Sequence, residues 1–192
     1  MDFKKPFLLL IFSVLPAITV FCAEPLPLDQ PTRSVAVKPD SGSSYYVEIS
    51  ISRNLLTLYE KKSDGKREPV AEYSVGTVVT GLKTYPLGFG KVTGIYFDPW
   101  WHPTSYSRQV FRGRGIDLPA AVPPGHPLNY MGPFKIALSH STWKGAVYRI
   151  HGNNNPKRVG RRVTGGCFVM DNSDGIALAR RIKVGTVVNI VP

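Results

Sequence analysis

Punctuation constrains the fold of this 192-residue chain more than any other feature. From residue 45 onward, short apolar, β-branched and aromatic runs recur, each closed by turn residues. Tyr45-Tyr46-Val47-Glu48-Ile49-Ser50-Ile51 and residues 55–59 read as two strands. Ser63-Asp64-Gly65-Lys66 is turn chemistry, and residues 70–75 return as a third strand. Further strands are predicted at 92–97, 134–138, 147–150 and 186–191. One segment carries a helix signature. Asn172 or Ser173 is placed to cap it and Asp174 falls in its first turn. Ile176, Ala179 and Ile182 form its apolar stripe, and Arg180 and Arg181 suit its C-terminal end. The expected fold is mainly β, a sandwich or barrel-like arrangement of mixed sheets with one or two short helices.

Residues 98–133 break the pattern. Trp100, Trp101, Tyr106, Phe111 and Tyr130 are interspersed with seven prolines, among them Pro99, Pro103 and Pro119. A stretch this long without regular structure is functional or disordered. Its aromatics read either as an ordered lid or groove wall, or as a proline-rich packing loop.

The N-terminus reads as a targeting segment. Lys4 and Lys5 form a basic start, and an apolar run at 7–21 is interrupted by Ser13, Pro16 and Thr19. That run is short for a membrane span and no stop-transfer pattern follows, so residues 1–22 are expected to be cleaved near Cys22 or Ala23. Lipidation at Cys22 fits less well, because Phe21 precedes it. Residues 23–44, rich in Pro, Ser and Asp, read as a linker to a domain at 45–192. About 170 residues then remain, enough for one well-buried core. The formal net charge is +11, and removing residues 1–22 with Asp2, Lys4 and Lys5 lowers it by one. A basic exported chain points to an anionic cell-wall polymer or membrane headgroups, and export argues against nucleic acid. No membrane span is expected in the mature chain.

The chain has two cysteines, Cys22 and Cys167. Loss of the leader leaves Cys167 without an internal disulfide partner, as an intermolecular partner or a reactive thiol. A free cysteine is often only a small buried hydrophobe. Its setting here favours reactivity: Thr164-Gly165-Gly166-Cys167 lies downstream of His151-Gly152. Thiol acyl chemistry needs a nucleophile, a base, an orienter for that base and donors for an oxyanion. Cys167 is the candidate nucleophile. His151, at the end of a predicted strand, is the candidate base, and the Gly152 carbonyl is placed to orient it. The backbone N–H groups of Gly166 and Cys167 are candidate oxyanion donors. His102, His126 and His140 lack such a setting. No spacing of His, Cys, Asp and Glu suits a metal, and Gly88-Phe89-Gly90 is no phosphate loop, so no metal or cofactor is expected.

These residues resemble a known family. The run Ile150-His151-Gly152-Asn153-Asn154-Asn155-Pro156 through Val163-Thr164-Gly165-Gly166-Cys167 resembles the L,D-transpeptidase catalytic domain of bacterial cell-wall enzymes. Thr84-Tyr85-Pro86-Leu87-Gly88-Phe89-Gly90, Val122-Pro123-Pro124-Gly125-His126-Pro127-Leu128 and Gly185-Thr186-Val187-Val188 are similar to other stretches of that family. The resemblance covers about residues 45–192 and implies an L,D-transpeptidase-type fold. It implies that Cys167 attacks the carbonyl between an L- and a D-centre in a peptidoglycan tetrapeptide stem. The resulting thioester passes to an amine of a second stem, giving a 3→3 cross-link. In some relatives it passes instead to an outer-membrane protein or lipoprotein, to a free D-amino acid or to water. The expected location is the periplasm or cell wall, and carbapenem acylation of Cys167 is expected.

Three positions depart from the family pattern. Gly165 stands where His is usual, Val169 where Arg is usual, and Asn153 where Thr is frequent. Valine cannot replace a planar guanidinium. Arg161, Arg162, Asn153 and Thr164 are the remaining substrate-binding candidates. The sequence reading is therefore retained thiol acyl transfer with an altered stem or acceptor. The alternatives are an L,D-carboxypeptidase or hydrolase using the same site, and a non-catalytic wall-binding module.

Overall fold

A computed structural model describes residues 44–81, 85, 87–141 and 147–192. The proposed leader at 1–22, nearly all of the linker, and Thr84 and Pro86 of the turn motif lie outside the described residues. Ten strands and two α-helices are formed by the described residues. The N-terminal hairpin pairs β1 (Ser44–Ser50) with β2 (Leu55–Lys61), and β2 pairs with β3 (Arg67–Ser74). Gly65, at φ 82°, closes the second turn with a backbone angle other residues resist. β3 is an edge strand. Arg67, Glu68 and Pro69 sit on it, features that discourage pairing with another chain.

The closing strand β10 (Val187–Val191) inserts between β1, to which it is parallel, and β5 (Gly88–Phe97), to which it is antiparallel. β6 (Phe134–Ser141) and β7 (Val147–His151) continue the sheet, and β9 (Phe168–Val169) ends it parallel to β7. The order is β3-β2-β1-β10-β5-β6-β7-β9. A second, two-stranded parallel sheet joins β4 (Thr77–Val78) to β8 (Arg162–Thr164). The mainly β, mixed-sheet expectation agrees with this architecture.

Alternation along β6 shows how the core is built. Phe134, Ile136 and Leu138 are buried on one face, joined by Val47, Ile49, Leu56, Leu58, Ile150, Val188 and Ile190 from neighbouring strands. Helix α2 (Asn172–Arg181) covers this core. Its cap is Asp171, one residue before the expected position, with a carboxylate that accepts from the Ser173 and Asp174 amides at 2.8 and 3.3 Å. The buried face is Gly175, Leu178, Ala179 and Ile182, whereas Ile176 is only half-buried. The packed face is rotated from the expected stripe because Gly175 lets the helix settle on the Phe134 ring, where any Cβ would collide.

Residues 98–133 are ordered around a core of their own. Trp101, Phe111, Leu118 and Val122 are buried together, with Tyr130 and Met131 packed against them. Trp101 and Val122 exchange backbone hydrogen bonds of 2.9 and 2.8 Å. The segment also holds α1 (Ser105–Arg112), a helix absent from the strand-and-loop expectation. Phe111 is its only buried residue, so no apolar period announces the helix. The readable signal is Thr104, whose hydroxyl accepts from the Ser107 amide at 3.1 Å.

Candidate active site

His151 is the last residue of β7 and is buried. Its Nδ1 lies 2.7 Å from the Gly152 carbonyl oxygen. A carbonyl only accepts, so Nδ1 carries the proton and Nε2 the lone pair. Burial drives the His151 pKa down to about 4, and the Arg158 charge adds to this. Contacts with the Gly152 and Met131 backbones oppose the shift. The imidazole is therefore neutral at pH 7.

The orienting carbonyl is itself held. The Gly152 amide donates to the Phe134 carbonyl at 3.2 Å. A Cβ at Gly152 would sit 2.5 Å from Asn172 Oδ1 and 2.9 Å from Pro133 Cδ. Asn172 accepts from the Asn153 amide at 2.8 Å and donates to the Asn153 carbonyl at 3.0 Å. Asn153 Nδ2 in turn donates to the Met170 carbonyl at 2.6 Å. Asn153, expected among the substrate-binding residues, is thus a buried tie between the ends of β7 and β9.

β7 and β9 run parallel, with Ile150 opposite Phe168 and His151 opposite Val169. Cys167 directly precedes β9, two residues before the partner of His151. The thiol is free and half-buried. Its turn is closed by Thr164, whose hydroxyl donates to the Cys167 carbonyl at 2.8 Å and accepts from the Gly166 amide at 3.1 Å. Gly166 has φ 138°, which a side chain would oppose. The hydrogen-bonding capacity of Thr164 and the Gly166 amide is engaged within the turn.

Aromatic residues surround the thiol. Tyr85 stacks on Phe168 with centroids 5.0 Å apart, and its hydroxyl accepts from the Val78 amide at 2.5 Å. Burial pushes the Tyr85 pKa up to about 12, so it is a neutral neighbour. Tyr85, Tyr148 and Arg158 all lie within electrostatic reach of Cys167. The 98–133 segment reaches the site as well. The Tyr130 ring lies 5.0 Å from the Arg158 guanidinium, and Asn129 holds the segment by donating to the Pro99 and Pro123 carbonyls at 3.0 Å. The packing reading describes the core of this segment.

His151, Gly152 and Asn153 thus lie at the end of β7, and Thr164, Gly166 and Cys167 lie in the turn that leads into β9, the strand paired with it. Arg161 and Arg162 are exposed, and Arg162 Nη2 reaches the Ile51 carbonyl at 3.4 Å, on the β1–β2 turn. Arg158 and Met131 join the residues around His151 without any local sequence pattern that marks them, whereas Tyr85 belongs to the 84–90 motif and Tyr130 to the aromatic 98–133 segment. Among the described residues, no group of His, Cys, Asp and Glu is arranged to hold a metal, and no helix is long and apolar enough to cross a membrane.

A family model for the YkuD L,D-transpeptidase catalytic domain matches residues 44–190. The probable L,D-transpeptidase ErfK/SrfK of Salmonella typhimurium is 39% identical over 170 residues, covering 80% of this chain and 50% of that protein. The probable L,D-transpeptidase YcfS of Escherichia coli is 34% identical over 123 residues, covering 57% of this chain and 37% of that protein. This chain thus spans about half the length of these relatives or less. An L,D-transpeptidase structure from Mycobacterium smegmatis shares the fold, with a TM-score of 0.50 and 15% identity, covering 79% of this chain and 60% of that one.

Proposed function

The chain belongs to the L,D-transpeptidase catalytic domain family, and from that premise we propose that it is an exported cysteine acyltransferase acting on peptidoglycan tetrapeptide stems. The observation that carries this reading is the parallel pairing of β7 with β9. It joins the strand that ends in the neutral His151, its Nδ1–H held by the Gly152 carbonyl, to the strand that directly follows Cys167.

In this reading the Cys167 thiol proton passes to His151 Nε2 as sulfur attacks the stem carbonyl between the L- and D-centres. The Cys167 amide faces the developing oxyanion. The Gly166 amide is engaged by Thr164 in the resting turn, so it joins only if that bond gives way. Collapse of the adduct breaks the peptide bond, and His151 returns its proton to the departing D-amino acid. An amine of a second stem then attacks the thioester, His151 takes the amine proton, and the thiol is restored. The outcome is a 3→3 cross-link, or attachment of a protein where its amine is the acceptor. Water as acceptor gives hydrolysis through the same steps. The leader at 1–22 delivers the domain to the periplasm or wall.

The test is incubation of the purified domain with defined tetrapeptide muropeptides, read by mass spectrometry. Cross-linked dimer marks transfer, and tripeptide marks hydrolysis. An acyl adduct persisting in Cys167→Ala would overturn the thiol mechanism. Alkylation of Cys167 no faster than that of a free thiol would favour the binding-module reading.

A further inference from the structure

Val169 fills the position where relatives usually carry arginine, and Arg161 and Arg162 are exposed away from it. The structure nevertheless places a different arginine, Arg158, within electrostatic reach of the thiol. Arg158 ends the 3-10 turn Pro156–Arg158, which Asn155 caps by accepting from the Lys157 amide at 3.0 Å. From there its guanidinium lies over the Tyr130 ring. Its Nη1 is buried and makes no hydrogen bond among the described residues. The described salt bridges join other residues, all of them exposed or partly so, and leave Arg158 without a carboxylate.

A guanidinium partly shielded from water, with one nitrogen buried and without a counter-charge, is unfavourable, and natural proteins seldom keep one idle. Two groups near it can carry negative charge, Tyr130 and Cys167, and the thiol is also the reacting atom. His151, whose pKa the Arg158 charge helps to lower, is neutral and offers no counter-ion. Burial holds the Arg158 guanidinium below its ordinary range, yet arginine stays charged at any working pH. Its planar fork suits a carboxylate, and Tyr130 fixes the plane.

We propose that Arg158 is the carboxylate receptor of this site: seated on Tyr130 with Nη1 unpartnered, it ion-pairs with a substrate carboxylate lying within one residue of the scissile bond. This rests on the transpeptidase reading for the identity of the substrate. Two carboxylates of a stem peptide have the right chemistry, that of the departing D-residue and that on the side chain of the diamino acid before it. Arg158 thereby supplies the fixed charge that Val169 does not, from the turn between β7 and β8 rather than from β9.

Two measurements test the proposal on the full domain, with thermal melts confirming that each variant folds. The first needs no transpeptidase activity. Iodoacetate and iodoacetamide alkylate Cys167 by the same displacement: sulfur bonds carbon, iodide leaves and the thiol proton is lost. Only iodoacetate brings a carboxylate. Any change in thiol ionisation affects both rates alike and cancels in their ratio. The ratio in the wild type should exceed that of a small free thiol. It should fall roughly tenfold in Arg158→Gln, as expected on losing a desolvated charge pair, and be partly kept in Arg158→Lys. A ratio unmoved by Arg158→Gln overturns the proposal.

The second compares thioester formation from stems amidated in turn at each carboxylate. Amidation at the recognised position should raise KM in the wild type and do nothing further in Arg158→Gln, and the position affected identifies which carboxylate is bound. Thioester formation indifferent to amidation at both positions also overturns the proposal while leaving the transpeptidase reading intact. If no stem acylates the wild type but the alkylation ratio depends on Arg158, the carboxylate site stands and the transpeptidase reading fails.

Discussion

The Tyr106 ring of α1 lies against Gly165, so that a Cβ at residue 165 would sit 3.2 Å from Tyr106 Cε1. The family's usual histidine at this position and the aromatic of the 98–133 segment compete for one space. Glycine before the Gly166-Cys167 step is therefore matched to α1. Gly165→His should displace Tyr106 and lower stability by about 1 kcal/mol, and Tyr106→Ala should recover most of that loss. Denaturant melts of the two single variants and the double variant measure the coupling. Simple additivity would mean that the two residues are independent.

His151 ties stability to pH. Its folded pKa of about 4 lies below the ordinary 6.5, so between those values the unfolded chain binds a proton that the folded chain excludes. Stability rises with pH through this window and the gain is complete above about pH 6.5. It is lost as pH falls toward 4, by up to about 3 kcal/mol from this residue. Urea melts at pH 4.5 and 7 should show the loss in the wild type and a flatter profile in His151→Gln. An equal slope in both would reject the buried neutral imidazole.

Asn153 ties Met170, the residue after β9, to the end of β7 that carries His151. Asn153→Ala leaves the buried Met170 carbonyl without its side-chain donor, a loss of about 1–3 kcal/mol. Thioester formation should fall further than the melt alone explains, since both strand ends shift. A stable variant with full activity would show that Asn172 alone holds the join.

Val169 is fully buried, opposite His151 and bridged to Gly76 by hydrogen bonds of 2.7 and 3.0 Å. Restoring the family residue with Val169→Arg brings a charge into this packing and should cost about 3 kcal/mol or more. Its first effect is expected in the melting temperature rather than in the choice of stem or acceptor. An unchanged melt with a new product profile would return Val169 to a direct role in specificity.

The strands that build the core are legible in the residues themselves because alternation along 45–51 or 134–138 is local, and burial acts on each residue through its own side chain. The helix over 172–181 is legible in outline, but which of its faces packs is settled by Gly175 meeting Phe134, a neighbour far away in sequence. α1 escapes a reading by pattern because one buried residue, Phe111, makes no period. β4, β8 and β9, two or three residues each, exist only through the partners they meet.

The pairing of a histidine-glycine step with a glycine-glycine-cysteine turn belongs to the sequence, since both are short motifs whose chemistry is written in residue type. Tertiary structure alone decided what stands around them. It made Asn153 a tie, engaged the Gly166 amide with Thr164, brought Tyr106 against Gly165, and laid Arg158 over Tyr130 while leaving Arg161 and Arg162 exposed. Side-chain surroundings depend on which segments fold together across long stretches of chain, and residue spacing does not encode that.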